Sequence, residues 1–220
     1  MPTILNDMEV RVLGSLVEKQ VTTPEYYPLT LNALTLACNQ KNNRNPVTAL
    51  TEDSVAQALE SLREKNLAYV FYGSTSRVPK YKHVMTEVLH LNTQQLALMC
   101  VLMLRGSQTL GELRGGAARL YEFFGLEEVE TTLNSLISRE PDLLVTRLPR
   151  QPGQKEARFA HLLSGEVVAE ALPQTERSPE TATRSSQAER VSKLEGEVET
   201  LKTKVEKLRE QFEGFKKQFE

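Results

Sequence analysis

Residues 51–84, TEDSVAQALESLREKNLAYVFYGSTSRVPKYKHV, change their hydrophobic periodicity halfway along. In the first part Val55, Leu59 and Leu62 recur at the spacing of a helix, and acidic residues fill its first turn, where the helix dipole favours them. The following residues alternate between apolar and polar on both sides of the turn-forming GSTS at 73–76. The stretch therefore predicts a helix followed by a β-hairpin.

Two further helices are expected before this one. In residues 6–20, Asn6 can cap a helix and Glu9 follows three residues later, which is the spacing of a capping box. Residues 21–28, VTTPEYYP, contain two prolines and predict an extended connection. The next helix is expected over about residues 30–40, and its polar face carries no charge.

The second half of the chain repeats this order. A helix is predicted over residues 91–106 and a second one over residues 109–124, with an irregularity at the glycine pair 115 and 116. A third helix over residues 126–140 leads into two strands within residues 142–163. The junction ALESLREKNLAYV of the first half corresponds to TLNSLISREPDLLV of the second, so a duplicated unit is the simplest account.

The predicted fold class is α+β, mainly α with small β-hairpins. Residues 1–90 and 91–165 are predicted to form two tandem winged-helix domains. Residues 166–189 are rich in Pro, Ser, Thr, Glu and Ala and predict a flexible linker. Residues 190–220 predict a C-terminal amphipathic helix, which either forms a coiled-coil homodimer or packs on its own domains. The apolar residues of the expected dimer seam alternate three and four apart: Val191, Leu194, Val198, Leu201, Val205, Leu208, Phe212, Phe215 and Phe219.

Composition and charge narrow the function only slightly. The net charge of -2 provides no global attraction to a polyanion, so any nucleic-acid surface must be local. No apolar run approaches the roughly 20 residues of a membrane span, and no membrane partner is expected. Cys38 and Cys100 both lie in apolar helical patterns, which predicts buried, reduced thiols in a cytoplasmic protein rather than a disulfide.

Catalytic and metal-binding patterns are weak in this sequence. Cys38 lies on an apolar stripe, and His83, His90 and His161 are all distant from it in sequence, so no nucleophile–base pair is indicated. The cysteines and histidines lack the paired spacing of a zinc site, and no glycine-rich phosphate loop occurs. We therefore expect no enzymatic activity, no bound metal and no cofactor.

One long motif carries a family resemblance. It is K-x-V-T-T-P-E-Y-Y-P-L-T-L-N-A-L-x-x-A-C-N-Q-K-x-N-R-N-P-V at residues 19–47, followed by Tyr-Lys-His at 81–83 and Gly-Glu-Leu-Arg at 111–114. With these motifs the chain resembles the uncharacterised YceH-like family of bacterial cytoplasmic proteins over roughly residues 7–161. The resemblance implies a pair of tandem winged-helix domains and no assigned activity.

A pair of winged helices suggests nucleic-acid binding, which the local charges must support. The third helix of each half begins with acids, among them Glu52, Asp53 and Glu127, which DNA would repel. Cations surround the first of these helices, and Tyr72 and Tyr81 are expected to interleave with them. The candidate nucleic-acid contacts are five cations and one amide that could read adenine: Lys41, Arg44, Gln57, Arg77, Lys80 and Lys82.

Two functions stay open from the sequence. The ring of cations could hold duplex DNA by its phosphates, with a slope of log affinity against log salt of roughly -4 to -5 per protomer. The alternative is an adaptor that binds another protein through its winged-helix surfaces and coiled coil, without binding nucleic acid. The cations would then be ordinary solvated side chains.

Residues 37–50, ACNQKNNRNPVTAL, join the second and third helices of the first half. The carboxamides of residues 39–45 can cap the last carbonyls of the second helix and accept left-handed backbone angles. Pro46 prevents the helix from resuming. The stretch predicts a turn with its own hydrogen bonds, structural first, that carries Lys41 and Arg44 beside the third helix.

Overall fold

The computed structural model describes residues 4–72, 78–150, 154 and 156–166. By its contacts the chain divides into residues 1–171 and 172–220, and every described residue lies in the first unit. The predicted C-terminal helix, and the predicted linker beyond residue 166, lie outside the described residues. They remain predictions, as does the boundary predicted between residues 90 and 91.

The described residues form a mixed α/β structure with small antiparallel sheets. Its helices are α1 (Asp7–Thr22), α2 (Leu31–Cys38), α3 (Glu52–Glu64), α4 (Met85–Val88), α5 (Thr93–Arg105), α6 (Leu110–Ala117) and α7 (Leu126–Ile137). Its strands are β1 (Leu29–Thr30), β2 (Ala68–Phe71), β3 (Lys80–His83), β4 (Val145–Arg147) and β5 (Phe159–His161). The predicted order of three helices and a hairpin therefore occurs twice. No helix in the described part of the chain is long and apolar enough to cross a membrane.

Side-chain caps define where the main helices begin. The Asn6 carboxamide accepts the backbone N–H of Glu9 at 2.9 Å, and the Glu9 carboxylate accepts that of Asn6 at 2.8 Å. Asn92 and Gln95 form the same capping box at α5, and Thr51 caps α3. The helix start predicted from Asn6 and Glu9 is confirmed. Each of these caps satisfies backbone donors that the helix itself cannot.

The first half contains a three-stranded sheet with the order β1–β3–β2. The hairpin of β2 and β3 is the predicted one. β1, in which Leu29 pairs with Tyr81, was not predicted, because two residues are too few to show the period of a strand. A 3₁₀ turn at Pro24–Tyr26 replaces part of the predicted extended connection, with Pro24 at its first position, where the missing N–H costs nothing.

The second half departs from the sequence prediction at α6. Residues 115 and 116, where an irregularity was predicted, are helical, but the helix ends at the next residue, so the helix predicted over residues 109–124 is interrupted there. It ends at Ala117, well before residue 124, because the backbone N–H groups of Leu120 and Tyr121 both donate to the Ala117 carbonyl and close a turn. That turn brings Phe123 into the core. β4 and β5 then pair antiparallel, with Val145 opposite His161.

Helix α1 lies at the centre of the unit, and its residues 9–18 are all buried. It packs against α2, α3 and α5, so the two halves share one hydrophobic core. Gly14 permits the contact with α5, because a Cβ there would lie only 3.0 Å from Leu104 Cδ2. On the same contact the Cys100 thiol donates to the Gly14 carbonyl at 3.5 Å. Both cysteines of the chain are free and buried, as predicted.

Candidate nucleic-acid interface

The outer face of the first sheet carries two lysines and two aromatic rings. Tyr69 lies directly opposite Lys82 in the β2–β3 pairing, and Phe71 lies opposite Lys80. Directly opposed residues in an antiparallel pair point to the same side of the sheet, as do residues two apart. These four side chains therefore form one surface, which we call the outer sheet face.

Contacts within the outer sheet face orient one of its cations. The Lys82 ammonium lies 4.7 Å from the centroid of the Tyr69 ring, a cation–π contact. Phe71 is exposed at the other end, next to the half-buried Lys80. Of the two tyrosines expected to interleave with the cations, Tyr81 instead packs against the hydrophobic core from the opposite face. Residues two apart on a strand share a face, so the alternation along β2 and β3 could have identified Tyr69 and Phe71 as the aromatic neighbours of Lys82 and Lys80.

Three of the remaining predicted contacts are not part of the outer sheet face. Lys41 and Gln57 are exposed, on the Asn-rich turn and on α3. Arg77 lies outside the described residues. The first turn of α3 exposes its acids, and the Glu52 carboxylate accepts a hydrogen bond from the Asn32 carboxamide at 2.8 Å, so the neutral polar face of α2 contacts the start of α3.

Arg44 does not belong to this surface. Its side chain has no exposed area. Its guanidinium donates a hydrogen bond to each carboxylate oxygen of Glu18 on α1, at 2.9 and 2.5 Å. It also donates to the backbone carbonyl of Ala37 at 2.9 Å, close to the end of α2. The prediction that Arg44 contacts phosphate is therefore wrong for this structure. An arginine in an Asn-rich turn resembled a phosphate-binding residue, but its partner is a carboxylate 26 residues earlier in the chain.

The rest of the Asn-rich turn has its own hydrogen bonds, as predicted, but Arg44 and Thr48, rather than its carboxamides, donate to the last carbonyls of α2. The Asn39 side chain accepts the backbone N–H of Leu50 at 2.7 Å and donates to its carbonyl at 2.8 Å. Asn43 adopts a left-handed backbone with φ of 58°. The backbone N–H of Asn45 donates to the last turn of α5, at the Leu104 carbonyl. The turn thus ties α2, α3 and α5 together.

Further arginines surround the buried Glu18. Arg119, which follows α6, donates to the same carboxylate, and its side chain is 38% exposed. Arg11 is buried and donates to the backbone carbonyl of Pro46 at 2.6 Å. Burial lowers the pKa of Arg11, and the positive charge of Arg44 lowers it further. The sequence revealed none of these pairings, because the partners come from three separate segments.

Both thiols and the imidazole of His83 are buried. Burial raises the pKa of Cys38 and of Cys100, which disfavours their thiolates. His83 is buried more deeply than expected: its Nε2 lies 2.5 Å from the Gln20 carboxamide oxygen, and its Nδ1 has no partner among the described residues. Burial lowers the pKa of His83 to about 4. Within the described residues, no three His, Cys, Asp or Glu side chains group as metal ligands would.

The buried His83 predicts a pH-dependent stability. The unfolded chain takes up this proton near pH 6.5, whereas the native chain does so only near pH 4. The free energy of unfolding should therefore fall as the pH drops from 6.5 to 4, by about 3 kcal/mol for this residue. Urea denaturation of wild-type and His83→Gln proteins across this range provides the measurement. Equal pH dependence in the two proteins would contradict the assignment.

The second half presents acids and an apolar side chain where α7 begins. Glu128 accepts hydrogen bonds from the Tyr121 hydroxyl and the Phe124 backbone N–H, both at 2.9 Å. Arg114 donates to the Phe124 carbonyl at 3.3 Å. The Phe124 backbone is thus held on both sides, while the residue is 93% exposed. Glu127 is exposed beside it, so this corner is apolar and acidic rather than basic.

Comparison with known proteins shows one family. The chain matches a family model described as a protein of unknown function, DUF480, over residues 5–154. The UPF0502 protein of Geobacter sulfurreducens is 52% identical over 202 residues, 91% of each chain, and that of Koribacter versatilis is 48% identical over 198 residues, 90% of each. The UPF0502 protein of Pelobacter propionicus is 56% identical over 172 residues, 78% of this chain and 77% of the relative. The family resemblance inferred from the sequence motifs is thereby confirmed.

Proposed function

We propose that this chain, which belongs to the DUF480 family of proteins of unknown function, is a non-enzymatic tandem winged-helix protein that holds duplex DNA mainly by its phosphates. The repeated order of three helices and a hairpin supports the winged-helix interpretation. The short strand β1 between the first two helices, paired with the hairpin, adds support in the first half. The two free, buried cysteines support a cytoplasmic location.

The outer sheet face is the observation that carries the DNA proposal. It places Lys80 and Lys82 two residues apart on one side of β3, where both ammonium groups can reach the same phosphate backbone. The Tyr69 ring restrains Lys82, which lowers the entropy lost when that cation binds. Lysines that contact phosphate position a protein on DNA without reading its sequence.

Base reading contributes little in this proposal. The exposed Glu52 and Asp53 begin α3, where a recognition helix approaches the bases, and they repel the phosphates. Gln57 is the exposed α3 side chain best suited to an adenine edge. Binding is therefore expected to be weak and mainly independent of DNA sequence.

Salt titration tests the proposal directly. With Arg44 excluded, four candidate cations remain, Lys41, Arg77, Lys80 and Lys82, so log affinity for duplex DNA should fall against log salt with a slope of roughly -3 to -4 per protomer. Fluorescence anisotropy of a labelled duplex, from about 20 to 300 mM potassium chloride, measures it. Absence of binding by the folded protein at the lowest salt would refute the DNA function.

A second function, that of a protein-interaction adaptor, is favoured by the Phe124 corner. An almost fully exposed phenylalanine with a restrained backbone is a suitable anchor for a partner protein. The exposed acids nearby would favour a basic partner surface. Under this proposal a Phe124→Ser change abolishes recovery of a partner by pull-down, whereas the double charge reversal K80E/K82E leaves it unchanged. The reverse pattern, with reduced retention on heparin, supports DNA.

Homodimerisation through residues 190–220 is part of both proposals. It rests on the heptad pattern of the sequence, with valine at a and leucine at d positions, a choice that favours two strands. Light scattering of the full chain should give twice the monomer mass, and a chain ending at residue 189 should give a monomer. A monomeric full chain would refute the coiled-coil dimer.

A further inference from the structure

A small cavity lies between α5, α6 and the Asn-rich turn. Its polar lining comes from Asn43, Arg105 and Arg119, and its floor is apolar, with Cys100 and Leu120 among the lining residues. The space inside it is about 10 Å³, which admits one water-sized group. A larger ligand would therefore rest at the mouth rather than enter.

Positive charge exceeds negative charge around this cavity. Glu18 is a single carboxylate shared by the guanidinium groups of Arg44 and Arg119, so it balances the charge of only one of them. Arg11 adds a further buried cation, and its guanidinium bonds only to backbone carbonyls within the described residues. Guanidinium groups that are taken out of water without a carboxylate are costly unless another anion compensates them.

Arg105 has the most available guanidinium of this group. It is half-buried, and no acceptor contacts its side chain in the described part of the chain. Its Nη1 lies where a side chain on α6 would otherwise be, since a Cβ added at Gly116 would sit 3.0 Å from it. Gly116 lies in the last turn of α6, and a side chain there would also meet Val101, whose Cγ1 would be 3.0 Å from the added Cβ. Gly116 leaves room for the guanidinium beside the cavity.

We infer that the mouth of this cavity binds an oxyanion of the phosphate class, through the guanidinium groups of Arg105 and Arg119 and the carboxamide of Asn43. The phosphate rests at this mouth, where its oxygens face the two arginine forks, whose donor geometry suits phosphate oxygens. The inference does not rest on DNA binding. The oxyanion has two sources, free phosphate groups of small molecules or the backbone of a nucleic acid.

Titration of the full chain with inorganic phosphate tests this site. At constant ionic strength, the ³¹P NMR signal should show saturable binding to the wild-type protein and at least tenfold weaker binding to Arg105→Gln, because two charge-assisted hydrogen bonds are lost. Arg63→Gln is the matched control, since Arg63 is exposed and pairs only with Glu60 on its own helix within the described residues. It should bind phosphate as the wild type does.

Two results would overturn the site: no saturable phosphate binding by the wild type, or equal binding by folded Arg105→Gln. Circular dichroism verifies folding. If that variant does not fold, Arg105→Lys keeps the charge without the fork, and wild-type affinity in it overturns the inference. A parallel titration with duplex DNA identifies the source. A tenfold loss of DNA affinity in Arg105→Gln assigns the site to the nucleic-acid backbone, whereas unchanged DNA affinity assigns it to free phosphate groups.

Discussion

Replacing Arg44 with methionine should lower the free energy of unfolding by about 3–5 kcal/mol, because it leaves the buried Glu18 carboxylate with a single partner. Glu18 has no exposed side-chain area, so water cannot replace the two hydrogen bonds that Arg44 donates. The Ala37 carbonyl near the end of α2 loses a donor as well. The midpoint and slope of urea denaturation, followed by circular dichroism, measure the change.

Lys41→Met is the matched control for this substitution. Lys41 lies three residues earlier in the same turn but is exposed, so its removal should change stability by no more than about 0.5 kcal/mol. If Lys41 contacts phosphate, its removal should reduce the salt slope of DNA binding by about 1, whereas folded Arg44→Met should retain the wild-type slope. Wild-type stability combined with weaker DNA binding in Arg44→Met would contradict the structure and restore the phosphate interpretation.

The ion pair of Arg44 could not be predicted from the sequence. A local signal was sufficient for the helix start at Asn6, because the cap and the N–H group it accepts lie within three residues. The ion pair of Arg44 with Glu18 joins residues 26 positions apart. Nothing in the local pattern distinguishes such an arginine from one that faces solvent, so the sequence placed it on the surface.

Helix α1 illustrates the same limit for the core. Helical periodicity alone would bury only one face of it, but the helix is buried along residues 9–18, including the charged Glu9 and Arg11. A charged side chain indicates an exposed face unless its partner is known. Here Lys65 forms an ion pair with Glu9, and Arg11 donates hydrogen bonds to backbone carbonyls. Long-range partners, rather than composition, determined which polar positions could be buried.

The outer sheet face could be predicted in part. The sequence predicted the hairpin and both of its lysines, but the aromatic partner of Lys82 depended on the register of β2 against β3. That register places Tyr69 beside the cation and turns Tyr81 toward the core. A shift of one residue would exchange the two faces. The sequence could therefore predict the segment that carries the lysines, but not which side chains share a surface with them.

The double substitution K80Q/K82Q should weaken duplex DNA binding by about 200-fold at roughly 50 mM salt and reduce the salt slope by about 2. The loss of affinity follows from the change in slope. Each lost phosphate contact removes about 0.9 from the slope of log affinity against log salt. At about 1 M salt the electrostatic contribution vanishes and the two proteins should bind equally, so the roughly 20-fold change in salt down to 50 mM separates their affinities by about 200-fold. Fluorescence anisotropy at several salt concentrations gives both quantities.

The charge-matched control is the double substitution R139Q/R150Q, which removes two cations of the second half, neither of which belongs to the outer sheet face. It changes the net charge equally, so a loss caused by overall charge would appear in both variants. A loss confined to K80Q/K82Q, with the slope reduced in proportion, locates the phosphate contacts on β3. Equal slopes in K80Q/K82Q and wild type would remove the outer sheet face from the DNA surface, and the exposed Phe124 corner would then be the stronger candidate for what this protein binds.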